Sequence, residues 1–462
     1  MSIKRYLSDK DNTISSAFKV NLSDRSTASN MGSSDILEVF AIFGQASSSS
    51  LEQSRILIEF PIDEILADRA SGVLPASGSA RFKLKMFNAE HNQTVPEKVT
   101  CTVHPLVKPW TEGGGLDMED YLDLGSSNWA SASDGVAWAN QGGDFLSSDY
   151  MATTPVPLIY EQYLETGIEN LDVDVTGLAE EFLINQAGNS SPANGSILFN
   201  TTTPPAVGDK FKIYAYNGDF SNFEFAAEES TVGNTYFIKI GSTPQESTEN
   251  FVSILNVSSS IKDFVAATAT DADLKVSLTQ RTATFYGNTS ISSSVGTDKA
   301  TITHFSGGVG ALNYGMLIRL SSSLEDGSKS RSYYTKKFFA RSSHHFLERP
   351  VLEVQWDSSI KDDRANIERS SSLKTASDNI NNIYLYNKQR SGMVDIPNTS
   401  SNLVVQLVPS IGLNAVSISG DSVSENFITA SKHSTGIYKA QFAYDGTESK
   451  LHDVWKIHQE LT

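Results

Sequence analysis

In 462 residues the chain carries 54 acidic against 36 basic side chains, a formal net charge of -18. No Lys/Arg run is longer than a pair, so there is no continuous basic surface for a phosphate backbone, and nucleic acid is excluded as a partner. Apolar residues at 39% and aromatics at 10% exclude a disordered chain; the lone Cys101 excludes an internal disulfide; and no stretch approaches the ~18 consecutive apolar residues of a membrane helix.

The length suggests about three domains. Residues 1–30 hold short strand-like fragments, Asn12 to Val20 among them, spaced by Ser and Asp. They read as an N-terminal arm, free to lie along a neighbouring subunit. The start of the chain lacks the apolar segment of a secretion signal, so synthesis in a cytoplasm is expected. Asp35 to Phe43 (DILEVFAIF) fits a first core strand, and the Ser47 to Ser50 run marks a loop. Arg55 to Phe60 (RILIEF), Arg81 to Phe87 (RFKLKMF) and Thr100 to Val107 alternate polar and apolar residues, the period of half-buried strands. Ile62 to Arg69 reads as a short helix. Cys101, inside this alternation, is expected to be a buried, inert thiol.

Lys108 to Phe145 carries three of the five tryptophans among Gly, Ser and Asp. Trp110, Trp129 and Trp138 therefore read as aromatic plugs that pin a long loop to a β core, with stacking on sugar rings as the functional alternative. Leu171 to Val175 leads through Thr176-Gly177-Leu178 into the short helical run AEEFLIN. Far downstream come Gly315 to Leu320 (GMLIRL), Ser332 to Phe339 (SYYTKKFF) and Val351 to Trp356 (VLEVQW).

Taken in order, RILIEF, KPWTEG, SNW, DVTGL into a short helix, GMLIRL, FFAR and RPVLEVQW resemble the DNRLRE-type β-sandwich module, a jelly-roll relative of carbohydrate-binding modules. The resemblance covers roughly residues 30–185 and 310–357 and is interrupted from about Gln186 to Gly308. The interruption opens on the loop composition AGNSSPANGS. It contains the alternating strands Lys210 to Tyr216 and Thr235 to Ile240, a helix expected around Asn250 to Ser258, then Lys275 to Thr279 and the tract Ala283 to Ser290. Gly208-Asp209, the KVSLT strand and the Gly287-Asn288-Thr289 turn resemble a small α+β module that recurs in tailed-phage virion proteins.

After Trp356 a polar, charged stretch reads as a linker over 358–380. Asn382 to Asn387, Leu403 to Val408, Ala415 to Ile418, Gly436 to Tyr444 and Asp453 to Ile457, with Trp455, have the spacing of a small antiparallel sandwich of immunoglobulin type. Its closing phrase also resembles domains of phage neck and tail proteins.

Chemistry-bearing patterns are sparse. His344 and His345 are adjacent, so on a strand they would face opposite ways, and their setting is that of a turn. Asp117, Glu119, Asp120 and Asp123 form an acidic loop whose spacing lacks the order of an EF-hand; solvation is favoured over calcium. Glu112 and Asp117 suggest a glycosidase pair only by proximity in sequence. No nucleophile elbow, phosphate-binding glycine loop or zinc motif occurs. The sequons at Asn92, Asn189, Asn256, Asn288 and Asn398 read as chance.

These readings lead to one expectation. The fold is mainly β: an antiparallel jelly-roll-like β-sandwich (31–185 and 309–357) with an inserted small α+β module (186–308), and a C-terminal immunoglobulin-like β-sandwich (381–462). The chain is expected to be a non-enzymatic structural protein of a tailed-bacteriophage particle, located in the virion. Its partners would be other virion proteins and copies of itself, with no cofactor, metal or membrane. The alternative is a carbohydrate-binding host-recognition protein contacting surface glycans through Trp110, Trp129 and Trp138.

Overall fold

The structure, a computed structural model, describes residues 2–457 apart from 94, 124, 147–150, 153–155, 201–204, 271–273, 328–331, 391, 398–402, 410–413, 421, 422 and 425; the side chains of 119–122 and 270 are also outside the described set. The sequon at Asn398 and the side chains of Glu119 and Asp120 therefore lie outside the described residues. The chain is mainly β, and among the described residues every strand pairing is antiparallel except that of Phe220–Ala226 with Thr235–Lys239. Two compact units divide it, residues 2–67 with 77–356 and residues 357–462 with 68–76.

The larger unit is built on two sheets. One runs Ser2–Leu7, Val351–Trp356, Ala80–Met86, Leu171–Asp174. The other, of nine strands, runs Tyr160–Leu164, Val99–Pro105, Met316–Leu320, Leu51–Glu59, Lys10–Ser15, Ser29–Asn30, Asp117–Leu122, with Ile36–Phe43 pairing Leu51–Glu59 and Ser332–Phe339 pairing Ile36–Phe43. Alternation explains the first sheet: in ARFKLKM the residues Phe82, Leu84 and Met86 are buried while Arg81, Lys83 and Lys85 face outward. Each large apolar side chain so buried contributes about 1.5–3 kcal/mol. Helix Thr176–Gln186 closes one side, where its Leu178, Ala179 and Phe182 meet Met316 of one sheet and Leu352 of the other.

Met316–Leu320 lies between Val99–Pro105 and Leu51–Glu59, in register with both. The parent sheet is therefore completed by a strand that returns only after the interruption. The interruption enters and leaves through one neck, where Ser191 and Val309 exchange backbone hydrogen bonds of 3.2 and 3.1 Å. Beyond that neck the residues form their own body, with sheets of four and five strands and helix Pro244–Val257 around a core that includes Phe199, Phe211, Phe223, Phe225 and Phe251. The helix starts six residues before the expected position. Thr243 caps it by accepting from the Glu246 amide at 3.1 Å, Pro244 follows, and Glu246 reaches back to the Ser242 amide at 2.6 Å, a reciprocal cap.

The N-terminal arm is corrected. Ser2–Leu7 pairs with Val351–Trp356 over six residues, and Lys10–Ser15 pairs with Leu51–Glu59 over six, both within the chain. Asp11 to Ser15 are all buried. Without these strands, Val351–Trp356 would present an unpaired edge, so the backbone hydrogen bonds expected from a neighbour are already made inside the molecule.

In the smaller unit, one sheet of four strands contains Asn381–Tyr386, Ile437–Tyr444, Ile418–Ser419 and Ser431–Ser434; the other runs Val423–Ser424, Phe427–Thr429, Leu403–Val408, His452–Ile457. They share a core of Ile383, Val405, Leu407, Ile428, Ala440 and Phe442, with Trp455 packed against it. The 358–380 linker is also corrected, because it is bound to this unit. Ile367 packs against the core, the Ser370 amide donates to the Tyr444 carbonyl at 2.8 Å, and Arg364 donates to Asp453 at 2.9 Å.

Candidate functional site

The tryptophan loop is fastened from beneath by charge as well as by apolar contact. Arg55 and Arg319 both donate to Glu325 Oε2, at 2.9 and 2.7 Å, and Arg55 Nη1 donates to the Gly142 carbonyl at 2.9 Å. The Arg55 guanidinium also lies 5.2 Å from the rings of Trp129 and Phe145. One carboxylate shared by two guanidiniums leaves neither cation buried alone. Gly142 has φ +87°, and a Cβ there would meet the Trp129 ring and the Arg55 guanidinium at 2.8 Å, so glycine is required where the loop crosses the cluster.

Trp110, Trp129 and Trp138 are 4%, 5% and 5% exposed and pack with Ile14, Leu57, Leu106 and Leu317. Trp110 Nε1 donates to the Tyr314 carbonyl and Trp138 Nε1 to the Asn128 carbonyl, each at 2.9 Å. None offers an exposed ring face, which sets aside the alternative reading that these three rings stack on sugar. They are the plugs of the loop.

The same loop nevertheless forms one wall of a cleft of about 480 Å³, whose other wall comes from the inserted body. This volume falls within the usual range of small-molecule sites. Phe145, Tyr216, Phe264 and Tyr314 line it, all half-buried. Tyr216 and Phe264 stand edge to face with centroids 5.9 Å apart. The Tyr314 hydroxyl is pushed above its ordinary pKa by burial and then by the nearby Tyr216. The polar lining divides in two. Asp144 is fully engaged, accepting from Lys108 at 2.9 Å and from the amides of Ala139 and Asn140 at 3.0 and 2.9 Å. Asn140 and Asp219 are exposed at the mouth, where Asn217 Nδ2 donates to Asp219 at 2.7 Å. Rings flanked by amide and carboxylate groups suit a ligand with both apolar faces and hydroxyls. Sequence reasoning missed this set because Tyr216 was assigned to a strand. The strand ends at Tyr214, and Asn217-Gly218 turns the chain, a dipeptide that signals a turn carrying an aromatic residue at its entrance.

The other candidates are dispersed. Glu112 accepts from Arg341 Nη2 at 2.6 Å and from the Asp11 amide at 2.8 Å, while Asp117 begins a strand and is exposed. Asp123 accepts from the Gly114 amide at 2.9 Å, a bond that holds its carboxyl below the usual range. No group of three potential metal ligands occurs among the described residues. His344 and His345 are exposed in a turn, with His345 against Phe339. The Cys101 thiol is fully buried and pushed up to about 12 by that burial. No helix among the described residues is long and apolar enough to cross a membrane. Compared with protein families, with curated proteins and with solved structures, the chain matches none.

Proposed function

We propose that the chain is a non-enzymatic structural component of a tailed-bacteriophage particle, a neck, tail or fibre-associated protein that works through contacts with other virion proteins and with copies of itself. The observation that carries this reading is modular closure. The inserted body and the C-terminal unit each surround an apolar core of their own, so one chain presents several rigid surfaces without loss of stability in the unit that bears them. The finer fold assignments belong to the same reading: a DNRLRE-like jelly roll for the main two-sheet body and an immunoglobulin-like sandwich for the C-terminal unit. A net charge of -18 supports protein partners over nucleic acid. A density map of the intact particle tests the proposal, since the three bodies should be found there in repeated copies.

The cleft favours a second reading, recognition of host-surface glycans. Titration with short oligosaccharides released from host surface glycans tests it. Binding should weaken at least several-fold in Tyr216→Ala and persist in Trp138→Phe; equal affinity of Tyr216→Ala and the parent chain would remove the cleft from consideration.

A further inference from the structure

Lys336 occupies a position that alternation reserves for an apolar side chain. It stands in phase with Phe338 on the Ser332–Phe339 strand and is 0% exposed. Its Nζ donates to Asn88 Oδ1 at 2.5 Å, to the Gly167 carbonyl at 2.8 Å and to the Glu169 carbonyl at 2.7 Å. The Phe338 ring lies 5.1 Å from the amine. Because a carbonyl bond is only ~1.2 Å long, the side-chain amide carbon of Asn88 lies no farther than about 3.7 Å from Nζ, close to the ~3–3.5 Å of a near-attack arrangement.

The backbone of Asn88 is fixed beside this strand. It bridges Phe338 in antiparallel fashion, and its amide donates to Asn170 Oδ1 at 2.8 Å. Glu169 stands beside the amine through its backbone carbonyl. Its Oε1 accepts from the amide and hydroxyl of Thr166 at 2.8 and 2.9 Å, whereas its Oε2 is buried and has no hydrogen-bond partner. The groups in contact are thus an amine and a primary carboxamide, while the Glu169 carboxylate acts on the Lys336 charge without forming an ion pair with it.

We propose that Lys336 and Asn88 form an intramolecular isopeptide bond. The lone pair of the neutral amine attacks Cγ of Asn88, forming the new C–N bond and pushing the carbonyl electrons onto Oδ1. When the carbonyl reforms, the bond from Cγ to Nδ2 breaks. The proton given up by Nζ ends on Nδ2, which leaves as ammonia. The products are one secondary amide and one ammonia, so neither an oxidant nor a cofactor is needed. Burial pulls the Lys336 amine down to about 8 against the opposing effects of Glu169 and Cys101, so about a tenth is neutral at pH 7. His91 is the further titratable group whose own pKa responds to the Lys336 charge. Formation should therefore quicken as pH rises toward about 8. Asn88 is half-buried, which leaves the ammonia a way out.

The bond would close a loop between positions 248 residues apart, and this loop contains the whole inserted body. Tension along the chain would then pass from strand to strand at the base of that body without stretching it, a useful property in a particle exposed outside the cell.

Intact mass of the full chain, together with a proteolytic map, provides the test. The expected result is a chain lighter than its sequence by one ammonia, with a branched peptide joining the segments of Asn88 and Lys336. Asn88→Ala and Lys336→Arg should both restore the full mass. An unmodified parent chain with no branched peptide after prolonged incubation at pH 8.5 overturns the proposal. So does an ammonia loss mapped elsewhere, for example to Asn194-Gly195 or Asn217-Gly218.

Discussion

At the scale of single residues, two buried groups bend the pH dependence of stability in opposite directions. Burial, with a smaller contribution from Glu112, raises the Asp11 carboxyl to about 7 despite its bond from the Arg341 amide. An unfolded Asp titrates near ~3.9, so the folded chain holds the extra proton between about 4 and 7, and stability falls as pH rises through that window. Burial lowers His104 to about 4, although it is bonded to the Leu146 carbonyl and Thr102 at 3.1 Å each. Unfolded His binds its proton near ~6.5, so this contribution is lost as pH falls from about 6.5 to about 4. Asp11→Asn keeps an acceptor for Arg341 and should stabilise the chain at pH 8 relative to pH 5, by up to about 3 kcal/mol. Urea unfolding at the two pH values measures this, and an unchanged difference would contradict it. Gly142→Ala should destabilise by roughly 1–3 kcal/mol, because it forces a side chain into left-handed backbone against Trp129.

At the scale of elements, legibility followed the chemistry of the buried face. RFKLKMF and SYYTKKFF announce strands because large apolar residues mark the inward positions. KDNTIS hides one, since its buried residues are Asp11, Asn12, Thr13 and Ser15 beside a single Ile14. Val265–Thr270 (VAATAT) and Asn194–Phe199 were missed for a related reason: alanine carries too little apolar contrast, and Asn194-Gly195 looks like a turn. The cleft was illegible because its two walls are far apart in sequence and meet only after the insertion folds. Removal of residues 2–15 should therefore yield an insoluble or unfolded larger unit, judged by circular dichroism and proteolysis; a stable, soluble product would contradict the pairing with Leu51–Glu59 and Val351–Trp356. Replacement of 188–308 by a short Gly-Ser linker should leave that unit folded, because the two ends of the insertion are already hydrogen-bonded at Ser191 and Val309.

At the scale of the whole molecule, a net charge of -18 opposes self-association through long-range repulsion. With the N-terminal strands committed within the chain, any contact between copies would have to use other surfaces. Exposed edges such as His452–Ile457, which ends a sheet and leaves Ile457 48% exposed, remain available. Self-association should accordingly strengthen as salt shortens the screening length from about 30 Å at 0.01 M to about 3 Å at 1 M, as followed by analytical sedimentation. The central claim, a structural place in a tailed particle, is tested most directly by quantitative mass spectrometry of phage particles purified through a density gradient. The expected result is that the chain sediments with the particles at a fixed copy number, comparable to other neck or tail proteins. Its recovery only in the soluble fraction of the lysate, with none in the particle band, would contradict that place.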